Sequence, residues 1–175
     1  MVLALGKAGL DLPKNGVPMK KIQELAARIG GVLRSPALLL VRLAWGFQLY
    51  ESGWGHLTHV GKTAQFFQSL HIPFPVANVY ISGATEFVGG ILLMLGLFSR
   101  LVSIPLLFNF CVAYLTASPG AVRELLHLQK PDDFINDSAF PFLVTSLLIL
   151  AFGPGRIALD ALFFQKASVS GRRQG

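Results

Sequence analysis

"SGATEFVGGILLMLGL", residues 82–97, sets a single carboxylate, Glu86, inside an otherwise apolar or small-residue run that extends back to Val76 and on to Phe98. A helix needs roughly 20 such residues to cross the hydrocarbon of a bilayer. An acid at that depth is costly in lipid, so Glu86 has to face the interior of a helix bundle or a water-filled cavity. The stretch therefore predicts a membrane span and marks its inward face.

Working outward, three further apolar segments have comparable character: Pro36 to Gly55, Leu101 to Ser118, and a shorter one from Ser138 to Gly153. The composition agrees. Of 175 residues, 53% are hydrophobic and only 14% charged, and the mean hydropathy is +0.57, well above a soluble domain. The net charge of +6 could suit nucleic acid, but the basic residues flank hydrophobic runs, which makes them topological signals instead. The first span begins after 35 residues and lacks a short apolar region followed by a small-residue cleavage site, which predicts a retained segment. The expected class is all-α, an integral membrane four-helix bundle with an amphipathic N-terminal helix.

Eleven Lys and Arg fall in the N-terminal arm, the link at Arg100 and the C-terminal tail, against three (Lys62, Arg123, Lys130) in the other two loops. That asymmetry predicts a multi-pass membrane protein with both termini cytoplasmic. The expected organisation is a basic arm over 1–35, a membrane domain over 36–162 and a basic tail over 163–175. Within the arm, Ile22, Leu25, Ala26, Ile29, Val32 and Leu33 recur at helical spacing, as an interfacial helix requires. Gly96 before "LFSR" predicts a tight hairpin between the second and third spans.

Three ionisable residues fall inside the spans: Arg42, Glu51 and Glu86. Arg42 and Glu51 lie on opposite faces of one helix. Arg42 shares its face with Gly46 and Gly53, and Glu86 shares its own with Ser82, Gly83, Gly89 and Gly90, small residues that allow a neighbouring helix to approach closely. At 1.5 Å per residue Glu86 lies about 15 Å from the start of its span and Arg42 about 9 Å from the start of its own. The helices run antiparallel, so a buried Arg42–Glu86 pair is expected, with Asn109 of the third span as its hydrogen-bonding neighbour. Such a centre either fixes helix register or handles protons or a quinone-like headgroup.

Secondary candidates are Glu51, His56 and Lys62, with Glu51 expected near the outer surface and pairing with Lys62 or His56. All four histidines are placed in the two outer loops, so no axial haem ligand is expected in the bundle, and no metal site is assigned. Cys111 is the one cysteine, so thiol chemistry needs a partner. Common nucleophile, nucleotide and metallohydrolase motifs are missing. "GPGRIALD" reads as a terminator of the last span, with Asp160 capping a helix or pairing with Arg156.

The order of these features, an arginine in the first span, "GFQLYESGWGHL", "FFQSLHIPFP", "ATEFVGGILLMLGLFSR" and the closing "GPGRIALD", resembles the DoxX family of small four-span membrane proteins over roughly Leu38 to Leu162. By that resemblance Arg42, Gly53, Lys62, Glu86, Gly89, Gly90, Gly96 and Arg100 occupy characteristic positions, and His56 stands near where many relatives carry lysine. The resemblance implies an accessory subunit, in the bacterial inner membrane, of a quinone- or thiol-linked oxidoreductase system rather than an independent enzyme. Its implied ligand is quinone, with no covalent cofactor, and its implied partners are the bilayer and a soluble or membrane redox protein; an oligomer is compatible and nucleic acid is not expected. The alternatives are a small-solute or lipid transporter or binding module, and a structural scaffold.

Overall fold

The computed structural model describes residues 19–127 and 131–161. The expected 163–175 tail and the basic residues Lys7, Lys14, Lys130, Lys166, Arg172 and Arg173 lie outside the described residues. In chain order the helices are α1 (Met19–Thr58), α2 (Val60–Ser69), α3 (Pro75–Leu95), α4 (Ser99–Ala117), α5 (Pro119–Leu126), α6 (Pro131–Ile135) and α7 (Phe140–Phe152). No strand occurs among the described residues. The protein is an all-α membrane bundle.

α1, α3 and α4 are long and apolar enough to cross a membrane; α7 is apolar but has 13 residues. Two expectations change. A separate interfacial helix ending before Pro36 was expected, but helix runs unbroken from Met19 to Thr58 with Pro36 inside it. The segments expected as outer loops are largely helical, forming α2, α5 and α6. Within Met19–Leu33 the apolar residues Met19, Ile22, Leu25, Ile29, Val32 and Leu33 are all exposed.

From Arg34 onward, close helix contact is set by glycines. Gly46 of α1 lies against Gly90 and Met94 of α3, and Gly53 lies against Gly83 and Phe87. A Cβ added at Gly90 would stand 2.6 Å from both the Gly46 carbonyl oxygen and the Tyr50 nitrogen, so only glycine lets the two backbones touch there. These two contacts fix an antiparallel register that puts Tyr50 near the level of Glu86. On the other side of α3, Gly89 receives the Leu106 side chain of α4. The apolar core is Leu49, Leu93, Leu106, Phe110 and Ile149, with Phe142 of α7 stacked on Phe110 at 5.2 Å between ring centroids. Many large apolar side chains point outward, among them Leu40, Phe47, Ile81, Leu101 and Phe108, as lipid-facing helices require.

One end of this bundle is tied by the "GPGRIALD" segment. Gly96, at φ +68°, closes α3 with the Leu97 N–H bonded to the Leu92 carbonyl and its own N–H to that of Leu93, the paired bonds of a Schellman cap. The next helix starts almost at once, and its N-terminal groups are held from a distance: the Phe98 and Ser99 N–H groups donate to the two carboxylate oxygens of Asp160 at 2.8 and 3.0 Å. Asp160 therefore caps α4. At the same end Arg34 donates to the Phe152 carbonyl at 2.8 Å and lies over that ring, so α1 and α7 meet where the α3–α4 hairpin turns. At the opposite end Asp137 holds the N-terminal turn of α7 through the Ala139 N–H and accepts from the Ser118 hydroxyl.

Candidate functional site

Val79, Gly83, Glu86, Gly90 and Leu93 are buried at three- and four-residue spacing, so α3 turns one face wholly inward. Glu86 on that face is only 4% exposed. Its Oε1 accepts hydrogen bonds from Asn109 Nδ2 at 2.9 Å and from the Ser82 hydroxyl at 3.2 Å. Its Oε2 accepts from the Ser52 hydroxyl at 2.7 Å. Three helices thus contribute to one carboxylate: α1 through Ser52, α3 through Ser82 one turn before the acid, and α4 through Asn109.

A fourth group completes the cluster. His56 Nδ1 lies 3.6 Å from Glu86 Oε2, beyond hydrogen-bond range, and this nitrogen is buried with no hydrogen-bond partner among the described residues. His56 and Ser52 are four apart on α1 and so share a face. Gly83 makes the approach possible, since a Cβ there would meet His56 Cβ at 3.0 Å. The imidazole lies edge-on to Phe67 of α2, with 6.3 Å between centroids. Chemically the arrangement is a buried carboxylate with three fixed donors and one adjacent imidazole nitrogen left unengaged.

Arg42 is not part of it. The expected Arg42–Glu86 pair does not form, because the guanidinium is held by four carbonyls elsewhere. Nε donates to the Leu93 carbonyl at 2.8 Å and Nη2 to that of Met94 at 3.1 Å, while Nη1 donates to the Pro154 and Ile157 carbonyls at 2.6 and 3.0 Å. Leu93 and Met94 supply carbonyls at the C-terminal end of α3, where the helix dipole favours a cation. Arg42 is 1% exposed and lies at the level of Met94, eight residues or about 12 Å along α3 from Glu86. Its place is structural: it fastens the "GPGRIALD" segment to the end of α3.

The other candidates separate in the same way. Glu51 and Lys62 are exposed, and neither forms an ion pair among the described residues, so the expected Glu51 pairing with Lys62 or His56 is not made. Gly46, Gly53, Gly83, Gly89 and Gly90 are all buried at helix contacts. His56, expected in a loop, lies in the last turn of α1 and faces Glu86. His59 sits within hydrogen-bond distance of Thr58 Oγ1 and the Gly55 carbonyl, at 3.0 and 3.2 Å. No group of three or more His, Cys, Asp or Glu that could hold a metal ion occurs among the described residues. Ser52 was not singled out from the sequence. The only signal for it was its i, i+4 relation to His56, which acquires meaning once the glycine register is known.

Comparison with known proteins returns a consistent kinship. Residues 37–119 match the family model described as DoxX. The chain is 28% identical over 129 residues to the Bacillus subtilis protein named "Putative oxidoreductase CatD", covering 73% of this chain and 87% of that protein. It is 25% identical over 150 residues to "Uncharacterized membrane protein Rv3486" of Mycobacterium tuberculosis, covering 79% and 88% respectively. No solved structure gives a significant match.

Proposed function

From the match of residues 37–119 to the DoxX family model, we propose that this chain is an inner-membrane accessory subunit of a quinone- or thiol-linked oxidoreductase system, in which the Glu86 cluster binds a quinone headgroup and exchanges protons with it. The observation that carries this reading is the buried Glu86 carboxylate with the unengaged His56 Nδ1 3.6 Å from Oε2. Conversion between quinone and quinol moves two electrons with two protons. This chain supplies groups that bind the oxygen of a headgroup and take or give a proton, namely Glu86 and His56, with Ser52, Ser82 and Asn109 holding the carboxylate in place. The electrons come from a partner, since Cys111 is exposed on α4 and the sequence has no second thiol to form a dithiol with it. The oxidoreductase name of the Bacillus subtilis relative agrees with such a partnership. Arg34, Arg100 and Arg156, which lie at the Gly96 end, support a reading in which that end is cytoplasmic and His56 faces the opposite side.

The test is quinone titration of the purified protein in nanodiscs, wild type beside Glu86→Gln. Saturable binding that weakens about tenfold in a folded Glu86→Gln variant is the expected result, the size of one lost charge-assisted hydrogen bond. A folded wild-type protein that binds no quinone sinks the redox reading. Solute flux in liposomes containing this protein alone would instead establish the transport alternative.

A further inference from the structure

We infer that His56 is the side chain through which Glu86 exchanges protons with water, so that the buried acid communicates with one end of the bundle only. Glu86 has a 5% exposed side chain and His56 a 28% exposed one, so the imidazole bridges a dry site and the surface near the α1–α2 junction. Of the four groups around the carboxylate, Ser52, Ser82 and Asn109 are held by hydrogen bonds and titrate far from neutral pH. The imidazole differs from them in carrying two ring nitrogens, one able to accept a proton while the other donates one. The gap of 3.6 Å between His56 Nδ1 and Glu86 Oε2 closes to hydrogen-bond length with a few tenths of an ångström of side-chain motion.

The opposite direction is blocked. Toward the Gly96 end α1 and α3 touch backbone to backbone at Gly46 and Gly90, Leu49 and Leu93 are wholly buried beside them, and the Arg42 guanidinium is occupied by four carbonyls. Charge around His56 is correspondingly simple. α3 has Glu86 as its one acidic or basic residue, and α2, which packs Phe67 on the imidazole, has Lys62, which is exposed and makes no ion pair among the described residues. On α1 itself Glu51 is exposed, and His59 is engaged with Thr58 and Gly55. The step balances without a further reactant. A protonated Glu86 passes its proton from Oε2 to His56 Nδ1, the ring releases its Nε2 proton to water, and tautomer exchange restores the acceptor nitrogen. The reverse sequence loads Glu86.

The relay does not require quinone, and its test is independent of ligand. In lipid nanodiscs the protonated carboxyl band of Glu86 is identified by infrared spectroscopy over a pH series as the band lost in Glu86→Gln, and its hydrogen–deuterium exchange is timed after transfer to heavy water. His56→Ala and His56→Phe are each expected to slow that exchange by roughly a hundredfold, while His59→Phe leaves it unchanged. Added imidazole is expected to restore the rate in His56→Ala but not in His56→Phe, where the ring fills the space; loss of packing alone gives no such rescue. Exchange at the wild-type rate in either folded His56 variant overturns the inference, as does the lack of any Glu86 carboxyl band across the pH series. A protein that shows the relay but binds no quinone retires the redox proposal alone. Quinone binding with unchanged exchange in the His56 variants retires the relay alone.

Discussion

The Nε–H of Arg42 and the carbonyl of Leu93 are joined by a 2.8 Å hydrogen bond that fastens the first membrane helix to the end of α3. The same guanidinium reaches Met94, Pro154 and Ile157, so one side chain connects three segments that lie far apart in sequence. Arg42→Ala strips the Met94, Pro154 and Ile157 carbonyls of this donor in a part-buried place and leaves Leu93 with the Gly96 N–H alone. It is expected to lower stability by about 2–4 kcal/mol, measured as unfolding in a defined detergent. Arg42→Lys is expected to recover only part of the loss, because an ammonium on a single stem lacks the planar fork that serves both the end of α3 and the segment after α7. A fully stable Arg42→Ala protein would remove the arginine from this structural role.

Gly90 tests the α1–α3 register. A Cβ there would lie 2.6 Å from backbone atoms of Gly46 and Tyr50 that no rotamer change can move. Gly90→Val is expected to force the helices apart, costing about 1–3 kcal/mol and weakening quinone binding with it. Gly30→Ala is the control, since nothing lies within 4 Å of a Cβ added there. That change should be neutral or stabilise α1 by up to about 1 kcal/mol through helix propensity. Thermal unfolding of the two variants side by side checks the contrast.

Asn109 tests the nature of its partner. Asn109→Ala removes the 2.9 Å donor to Glu86 Oε1 and is expected to cost about 1.5–3 kcal/mol. Asn109→Asp sets a second carboxyl against the first in a buried place, so it should be more damaging than alanine near neutral pH although it is nearly isosteric. Chemical unfolding of both variants gives the order, and an aspartate variant more stable than the alanine one would contradict the assigned hydrogen bond.

Glu86 was legible in the sequence because an acid in an apolar run has few tolerable places, and the glycines around it named the face it shares. Asn109 followed from depth alone. Arg42 misled because depth counted from Pro36 placed it too near Glu86, and because a buried cation was expected to seek an anion. Its charge is balanced instead by carbonyl dipoles, and the glycine closing α3 was the available hint that unpaired carbonyls lay at that level. Ser52 and His56 were hidden for a different reason. Which residues of α1 look at Glu86 depends on a register set by Gly46 on Gly90 and Gly53 on Gly83, a relation between helices that spacing within one helix does not contain. His56 was further obscured by a helix that runs past the expected edge of the span to Thr58.

The 13 residues of α7 reach about 20 Å, whereas the hydrocarbon they lie in is about 30 Å thick. Asp137 holds the start of this helix and Gly153 ends it, so it has little room to lengthen. Lipid beside α7 would have to dimple inward to match so short an apolar column, whereas α3 and α4, with 21 and 19 residues, each reach about 30 Å. Such a lopsided rim costs a fraction of a kcal/mol per ångström of mismatch, and that cost falls wherever a neighbouring short helix shares the dimple. The α7 flank is thus the side of this bundle on which a thin bilayer would fit best.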